Sequence, residues 1–156
     1  MSVPDPSAPP PFLTAIRTLY DAFDAFDAAA ATQLGLHRSD LSALTALEQG
    51  PRRVGDIGEA LGLSSGAMTA LADRLVKSGH LQRSRDPMDR RAVLLDLTPE
   101  ARAEIGAVYR TSFNAITEAV STASADELER AATFVSAAAE ACASAAANLS
   151  TTTKGG

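Results

Sequence analysis

The sequence has little of what staples small secreted or metal-bound proteins. Its 156 residues include one cysteine, no tryptophan and two histidines. A single cysteine excludes an intrachain disulfide. His37 and His80 stand far apart with no acid or cysteine cluster around either, which argues against a zinc site. Aromatic residues make up only 4%, so a core must be built largely from Ala, Leu and Val. No apolar run approaches the roughly 18 residues of a membrane span. The opening lacks the charged and apolar regions of a secretory signal, which predicts a cytoplasmic protein with no membrane partner. No Ser/His/Asp set and no phosphate-cradling glycine loop stands out. No catalytic residue, metal or cofactor is therefore assigned, and an enzyme is the weakest reading.

Charge is present but uneven. The net charge is −5, yet between Arg52 and Arg91 eight Lys/Arg meet five Asp/Glu, against six and fourteen elsewhere. A basic region inside an acidic protein says more about partners than the total does. A solvated charged face is the plainer alternative.

Residues Met1 to Pro11 hold five prolines and little that packs, which predicts a disordered tail. Phe12, Ile16, Leu19, Phe23, Phe26 and Ala30 then alternate four and three residues apart, a heptad seam on a first helix. Asp21, Asp24 and Asp27 recur on its polar side and read as a solvated face, since no other ligand joins them for a metal. Ser39 is the expected N-cap of a second helix, with Leu41, Leu44 and Leu47 inward and Gly50-Pro51 as its stop. Val54 to Leu61 reads as a short third helix weakened by Gly55 and Gly58. Ser64 caps a fourth helix that runs to Ser78, with Met68, Leu71 and Leu75 buried. Gly79 ends it as a left-handed residue.

A hairpin from Leu81 to Leu97 follows. On its return strand Val93, Leu95 and Leu97 point one way, Leu94 and Asp96 the other. Asp86-Pro87 starts the turn, and Arg85, Arg90 and Arg91 stand at or beside the tip. Thr98-Pro99-Glu100 opens a fifth helix with Ile105, Val108, Ser112, Ile116, Ala119 and Val120 on one face. Ser124 and Glu127 form a capping box for a sixth. That helix carries a second heptad seam through Leu128, Ala131, Val135, Ala138, Cys142, Ala145 and Leu149. The tail from Ser150 to Gly156 reads as frayed.

Helix, helix, short turn, helix and two-stranded ribbon is the order of a winged helix-turn-helix, and Gly62-Leu-Ser64 is the tight connection such a unit requires. In that geometry the fourth helix enters the major groove N-terminus first. Ser64, Ser65, Gly66 and Thr69 lead it, small enough to let the helix approach DNA. Arg74 and Lys77 lie further along, within reach of phosphate or guanine.

The run Leu61-Gly-Leu-Ser-Ser-Gly-Ala-Met-Thr69, then Asp73-Arg74-Leu75-Val76 and Gly79-His-Leu81, then Asp86-Pro-Met-Asp89-Arg90-Arg91 and Leu97-Thr98, resembles the multiple antibiotic resistance regulator (MarR) family. The motifs cover about Ser39 to Glu104; the flanking helices agree by position. The resemblance implies a mainly α fold with a small β-wing: a winged helix-turn-helix with N- and C-terminal dimerisation helices. The expected parts are a dimerisation helix over 12–38, a DNA-binding lobe over 39–97 and dimerisation helices over 98–149. It implies a homodimer paired through the first, fifth and sixth helices, on a pseudo-palindromic operator in double-stranded DNA. It implies that Arg91 enters the minor groove, oriented by Asp89, with Arg90 on the same tip. A narrow minor groove attracts Arg, and a carboxylate holds the planar guanidinium. The plainer reading of Asp89 and Arg91 is a hairpin salt bridge.

The chain departs from the family pattern where Ala101 stands in place of a common glycine, and where Gly55 and Gly58 soften the third helix. Oxidant-sensing members carry a reactive cysteine early in the first helix, and this chain has none there. Cys142 reads as a small buried hydrophobe, with a link to its counterpart across a two-fold axis as the alternative. A small aromatic or phenolic effector is the expected regulator of a repressor, with Tyr20, Phe23, His37 and Tyr109 lining its site. The competing class is a winged-helix protein-interaction module with little DNA affinity.

Overall fold

The computed structural model describes residues 11–89 and 92–153. The segment 1–10, Arg90 and Arg91 at the wing tip, and 154–156 lie outside the described residues, so the expectations placed on them are not addressed by it. The elements run α1 (Pro11–Gln33), α2 (Arg38–Thr45), β1 (Arg52–Arg53), α3 (Val54–Ala60), α4 (Ser65–Lys77), β2 (Leu81–Arg85), β3 (Val93–Leu97), α5 (Pro99–Ala119) and α6 (Ala125–Thr153). The fold is mainly α with a small antiparallel sheet of order β1-β3-β2, a winged helix.

Local chemistry places these boundaries. Ser64 caps α4, its side chain accepting from the Ala67 N–H at 3.3 Å, and so fills one of the amides a helix start leaves open. Gly62 (φ +66) and Gly79 (φ +80) end α3 and α4 in the left-handed region, which costs glycine nothing. In both, the next residue reaches back: Leu63 N–H to Gly58 O at 2.8 Å, His80 N–H to Leu75 O at 2.9 Å. Thr98 caps α5 by accepting from Ala101 N–H at 3.2 Å while its hydroxyl donates to Gly79 O at 2.8 Å. At α6, the Ser124 N–H donates to Glu127 at 2.8 Å and the Glu127 N–H to the Ser124 hydroxyl at 3.4 Å, the expected capping box.

Two boundary expectations are corrected, and one element is new. Helix α2 begins one residue before Ser39, and its N-cap is His37, in an extended conformation with no side-chain cap; Ser39 is already inside the first turn. Helix α6 runs to Thr153, so the tail from Ser150 is not frayed throughout: no helix-breaking residue stands before Gly155. Strand β1 was not anticipated.

The chain divides into two compact units, 1–113 and 114–156. Most of α5, Pro99 to Phe113, belongs to the first unit. That unit's main core joins Leu44, Leu47, Ile57, Met68, Leu71, Leu75, Leu81, Leu95 and Leu97 with Ala101 and Ile105 of α5. A second cluster, Ala30, Ala31, Leu41 and Val108, seats the end of α1, with Phe26 and Tyr109 packed against it. In the second unit no residue of α6 whose burial is described, 125–149, is buried. Cys142 is exposed in the single chain, on the face of α6 that carries the second heptad seam.

Candidate nucleic-acid interface

The first turn of α4 is a surface of small residues. Ser64, Ser65, Gly66 and Thr69 are all exposed, while Met68, Leu71, Ala72 and Leu75 face the core. The Thr69 hydroxyl donates to Ser65 O at 2.8 Å. A helix start with short side chains lets its backbone come close to a phosphate or base edge.

Behind this surface, Gly58 is a packing site. A Cβ there would lie 3.3 Å from both Cβ and Cγ of Met68. The glycine expected to soften α3 instead lets α3 and α4 approach closely. Gly55 has open space around it, so on α3 it is Gly55 that lacks a packing role.

Arg74 and Lys77 are both exposed on the last turn of α4. Arg74 is engaged: its Nη2 donates to Asp40 Oδ1, and Asp40 is only 3% exposed. Asp73, on the next face, accepts from Arg83 Nη2 of β2 at 2.6 Å, which ties the wing to α4.

The wing is built on β3, the central strand. Leu81 pairs with Leu97 and Arg85 with Val93 on one side, Arg52 with Leu95 and Arg53 with Leu94 on the other. Leu95 and Leu97 are buried, but Val93 is exposed, because the strand has left the core by then. The expected inward face thus holds for two of its three residues. Beyond the strands, Asp86 N–H donates to Ala92 O at 3.1 Å and Ala92 N–H to Asp89 O at 2.9 Å. Arg85 and Asp89 are exposed and Met88 is 91% exposed.

Asp86 organises this loop. One carboxylate oxygen accepts from Nε and Nη2 of Arg53, at 2.9 and 2.7 Å. The other accepts from Met88 N–H at 2.8 Å. Asp86 is 7% exposed, and the Met88 amide, followed by Arg53, holds its carboxyl below the usual carboxylate range. Arg53 also lies in the field of Asp89 and Asp56. Sequence reasoning saw Asp86 only as a turn former and did not see Arg53.

The aromatic candidates separate. Tyr20, Phe23 and His37 are exposed. Tyr109 is half-buried, edge-on to Phe26 with centroids 5.4 Å apart, and its hydroxyl donates to Asp27 Oδ1 at 2.7 Å. Burial, and then Asp27, push its hydroxyl well above the ordinary tyrosine value. Arg38 donates to both carboxylate oxygens of Asp24, and Tyr20 lies within electrostatic reach of the same guanidinium. Asp24 and Asp27 are therefore ties from α1 to α2 and α5, not the purely solvated face their spacing suggested. Among the described residues no group of three or more His, Cys, Asp or Glu is placed to hold a metal, and no helix is long and apolar enough to cross a membrane.

Known proteins share this sequence and architecture. The MarR family model matches residues 34–92. The uncharacterized HTH-type transcriptional regulator YcgE of Bacillus subtilis (strain 168) is 37% identical over 116 residues, covering 74% of this chain and 75% of its own length. A second regulator of that organism, YkoM, is 34% identical over 82 residues, 53% of each chain. Among solved structures, a MarR family protein from Bacillus stearothermophilus superposes with a TM-score of 0.69 at 18% identity, over 85% of this chain and 93% of that one. The transcriptional regulator Tm0710 from Thermotoga maritima does so at 0.64 and 23%, over 84% and 93%. These two structures speak to the fold.

Proposed function

Since this chain belongs to the MarR family and is a DNA-binding transcriptional regulator, we propose that it acts as a homodimer on a pseudo-palindromic operator and represses until a small aromatic or phenolic effector binds. The observation that carries the DNA reading is the pairing of an exposed, small-residue helix start on α4 with a wing tied to that helix through Arg83 and Asp73. Ser65, Gly66 and Thr69 approach the major groove, Ser64 presents the capped amides to phosphate, and Lys77 meets the backbone. Arg85, Arg90 and Arg91 serve the wing, with Asp89 orienting Arg91.

Support for the dimer comes from apolar side chains left at the surface of each unit. On α1, Leu19 and Phe23 are exposed while Phe26 and Ala30 pack inward. In the second unit Ile116, Leu128 and Val135 are exposed. Exposed apolar stripes on helices mark interaction surfaces, and two-fold pairing is the commonest way chains of one kind cover them.

Support for the effector comes from two aromatic side chains set beside charged groups: Tyr20 within electrostatic reach of Arg38, and Tyr109 bonded to Asp27. An anionic aromatic ligand would compete with Asp24 for Arg38. Such a ligand releases DNA only by binding better to a dimer geometry that misfits the operator.

The test is fluorescence anisotropy with DNA from the intergenic region beside its own gene, at low and moderate salt. A saturable shift that a phenolic acid reverses, on a site with half-sites about 10–10.5 bp apart, is the expected result. No binding at either salt would favour the protein-interaction module.

A further inference from the structure

The wing is held at its root by a clamp between two residues that are not among those proposed to touch DNA. Arg53 ends β1, immediately before α3. Its Nε and Nη2 both donate to Asp86, which starts the wing loop. The free oxygen of Asp86 is taken by Met88 N–H, so one carboxylate fixes both the loop's bend and its attachment to the helical part of the lobe. Most exposed ion pairs do little. This one differs in that the carboxylate is nearly sealed and carries three donors, which is the arrangement in which breaking one partner disturbs the others.

We propose that Arg53 and Asp86 are positioning residues for DNA recognition: the clamp aims the wing, and operator affinity depends on it although Asp86 is itself repelled by DNA. The role rests on the DNA-binding reading above. It makes a prediction opposite in sign to simple electrostatics. Removing a carboxylate from a DNA-facing lobe ordinarily strengthens binding to a polyanion. Here Asp86→Asn weakens it, because one carboxylate oxygen holds the guanidinium fork and the other the Met88 N–H, and an uncharged amide has a single oxygen to serve both. Arg53→Lys preserves the charge a phosphate contact would use but loses the two-donor fork, and it too weakens binding.

The experiment measures operator affinity for the wild type, Asp86→Asn and Arg53→Lys, each also combined with Arg91→Ala, together with amide hydrogen exchange across 85–92 without DNA. The expected losses are about 2- to 30-fold for each clamp variant. They shrink toward nothing in the Arg91→Ala background, since a misaimed wing without its arginine has no more to lose. Exchange at Met88 rises in Asp86→Asn. If Asp86→Asn binds as well as or better than wild type, or if Arg53→Lys is silent, the clamp does not aim the wing. Full additivity with Arg91→Ala overturns it as well, because the residues then act elsewhere. Should Asp86→Asn fail to fold by circular dichroism, Arg53→Lys decides alone. Wild-type protein that binds no DNA sinks the regulator reading and this role with it, whereas a clamp variant alone losing its effect leaves the regulator reading standing.

Discussion

Arg74, on the last turn of α4, reaches across to the sealed carboxylate of Asp40 on α2. Its guanidinium is thereby committed to holding the recognition helix, although its position in the sequence suits a DNA contact equally well. Arg74→Ala leaves a buried carboxylate without its cation, so the melting temperature should fall by several degrees. Lys77→Ala on the same turn should move it little and should instead reduce the salt slope of operator binding by about 0.9. Thermal melts and salt-dependent anisotropy measure both. An Arg74→Ala protein with unchanged melting and a reduced slope would return Arg74 to the DNA.

Gly55 and Gly58 sit three residues apart on α3 but should respond oppositely to alanine. At Gly55 the added methyl meets nothing within 4 Å, so the helix should gain up to about 1 kcal/mol. At Gly58 the methyl presses on Met68, and that gain should be absent or reversed. Denaturant midpoints for the two variants settle the point; equal stabilisation would mean that α3 and α4 separate freely.

Tyr109 links pH to stability. Its hydroxyl is held neutral in the fold by burial and then by Asp27. A raised folded value means that the contribution is fully present below the unfolded tyrosine value of about 10 and is lost as pH rises beyond it. Stability should therefore decline above about pH 10, and Tyr109→Phe should flatten that decline. The same change removes a hydrogen bond to Asp27, costing about 1 kcal/mol at neutral pH. Identical pH profiles for the two proteins would remove Tyr109 from the account.

Arg91→Ala should cost about 1–3 kcal/mol of operator affinity and lower the salt slope. Affinity unchanged at both salts would transfer the wing's role to Arg85 or to the strands.

Phe23→Glu on α1 and Val135→Glu on α6 should each shift the sedimentation profile toward monomer, with the lobe's circular dichroism intact. A charge set into an apolar contact is costly when buried. If the wild type already sediments as a monomer at micromolar concentration, the dimer proposal fails.

What the sequence made legible follows from the range of the physics involved. Caps and turns act over three or four residues, and Ser64, Gly79, Thr98 and the Ser124–Glu127 box were readable for that reason. The failure at Ser39 is of the same kind: a good capping residue stood one position inside the helix. Strand β1 has only Arg52 and Arg53, too short for any period. The ion pairs that organise the site join Arg53 to Asp86 and Arg74 to Asp40, partners that no local pattern associates.

The strand order also constrains how the lobe is made. Both β1 and β2 pair only with β3, and β3 is the last of the three to leave the ribosome. Until Val93–Leu97 emerges, neither earlier strand has a hydrogen-bonding neighbour, and Arg52 and Leu81 wait with open edges. The helices that precede them have local contacts and can form on their own schedule. Sheet assembly therefore waits for β3, which closes a local hairpin with β2 and a long-range pairing with β1. A lesion that slows or removes β3 exposes two unpaired edges at once, a state prone to aggregation.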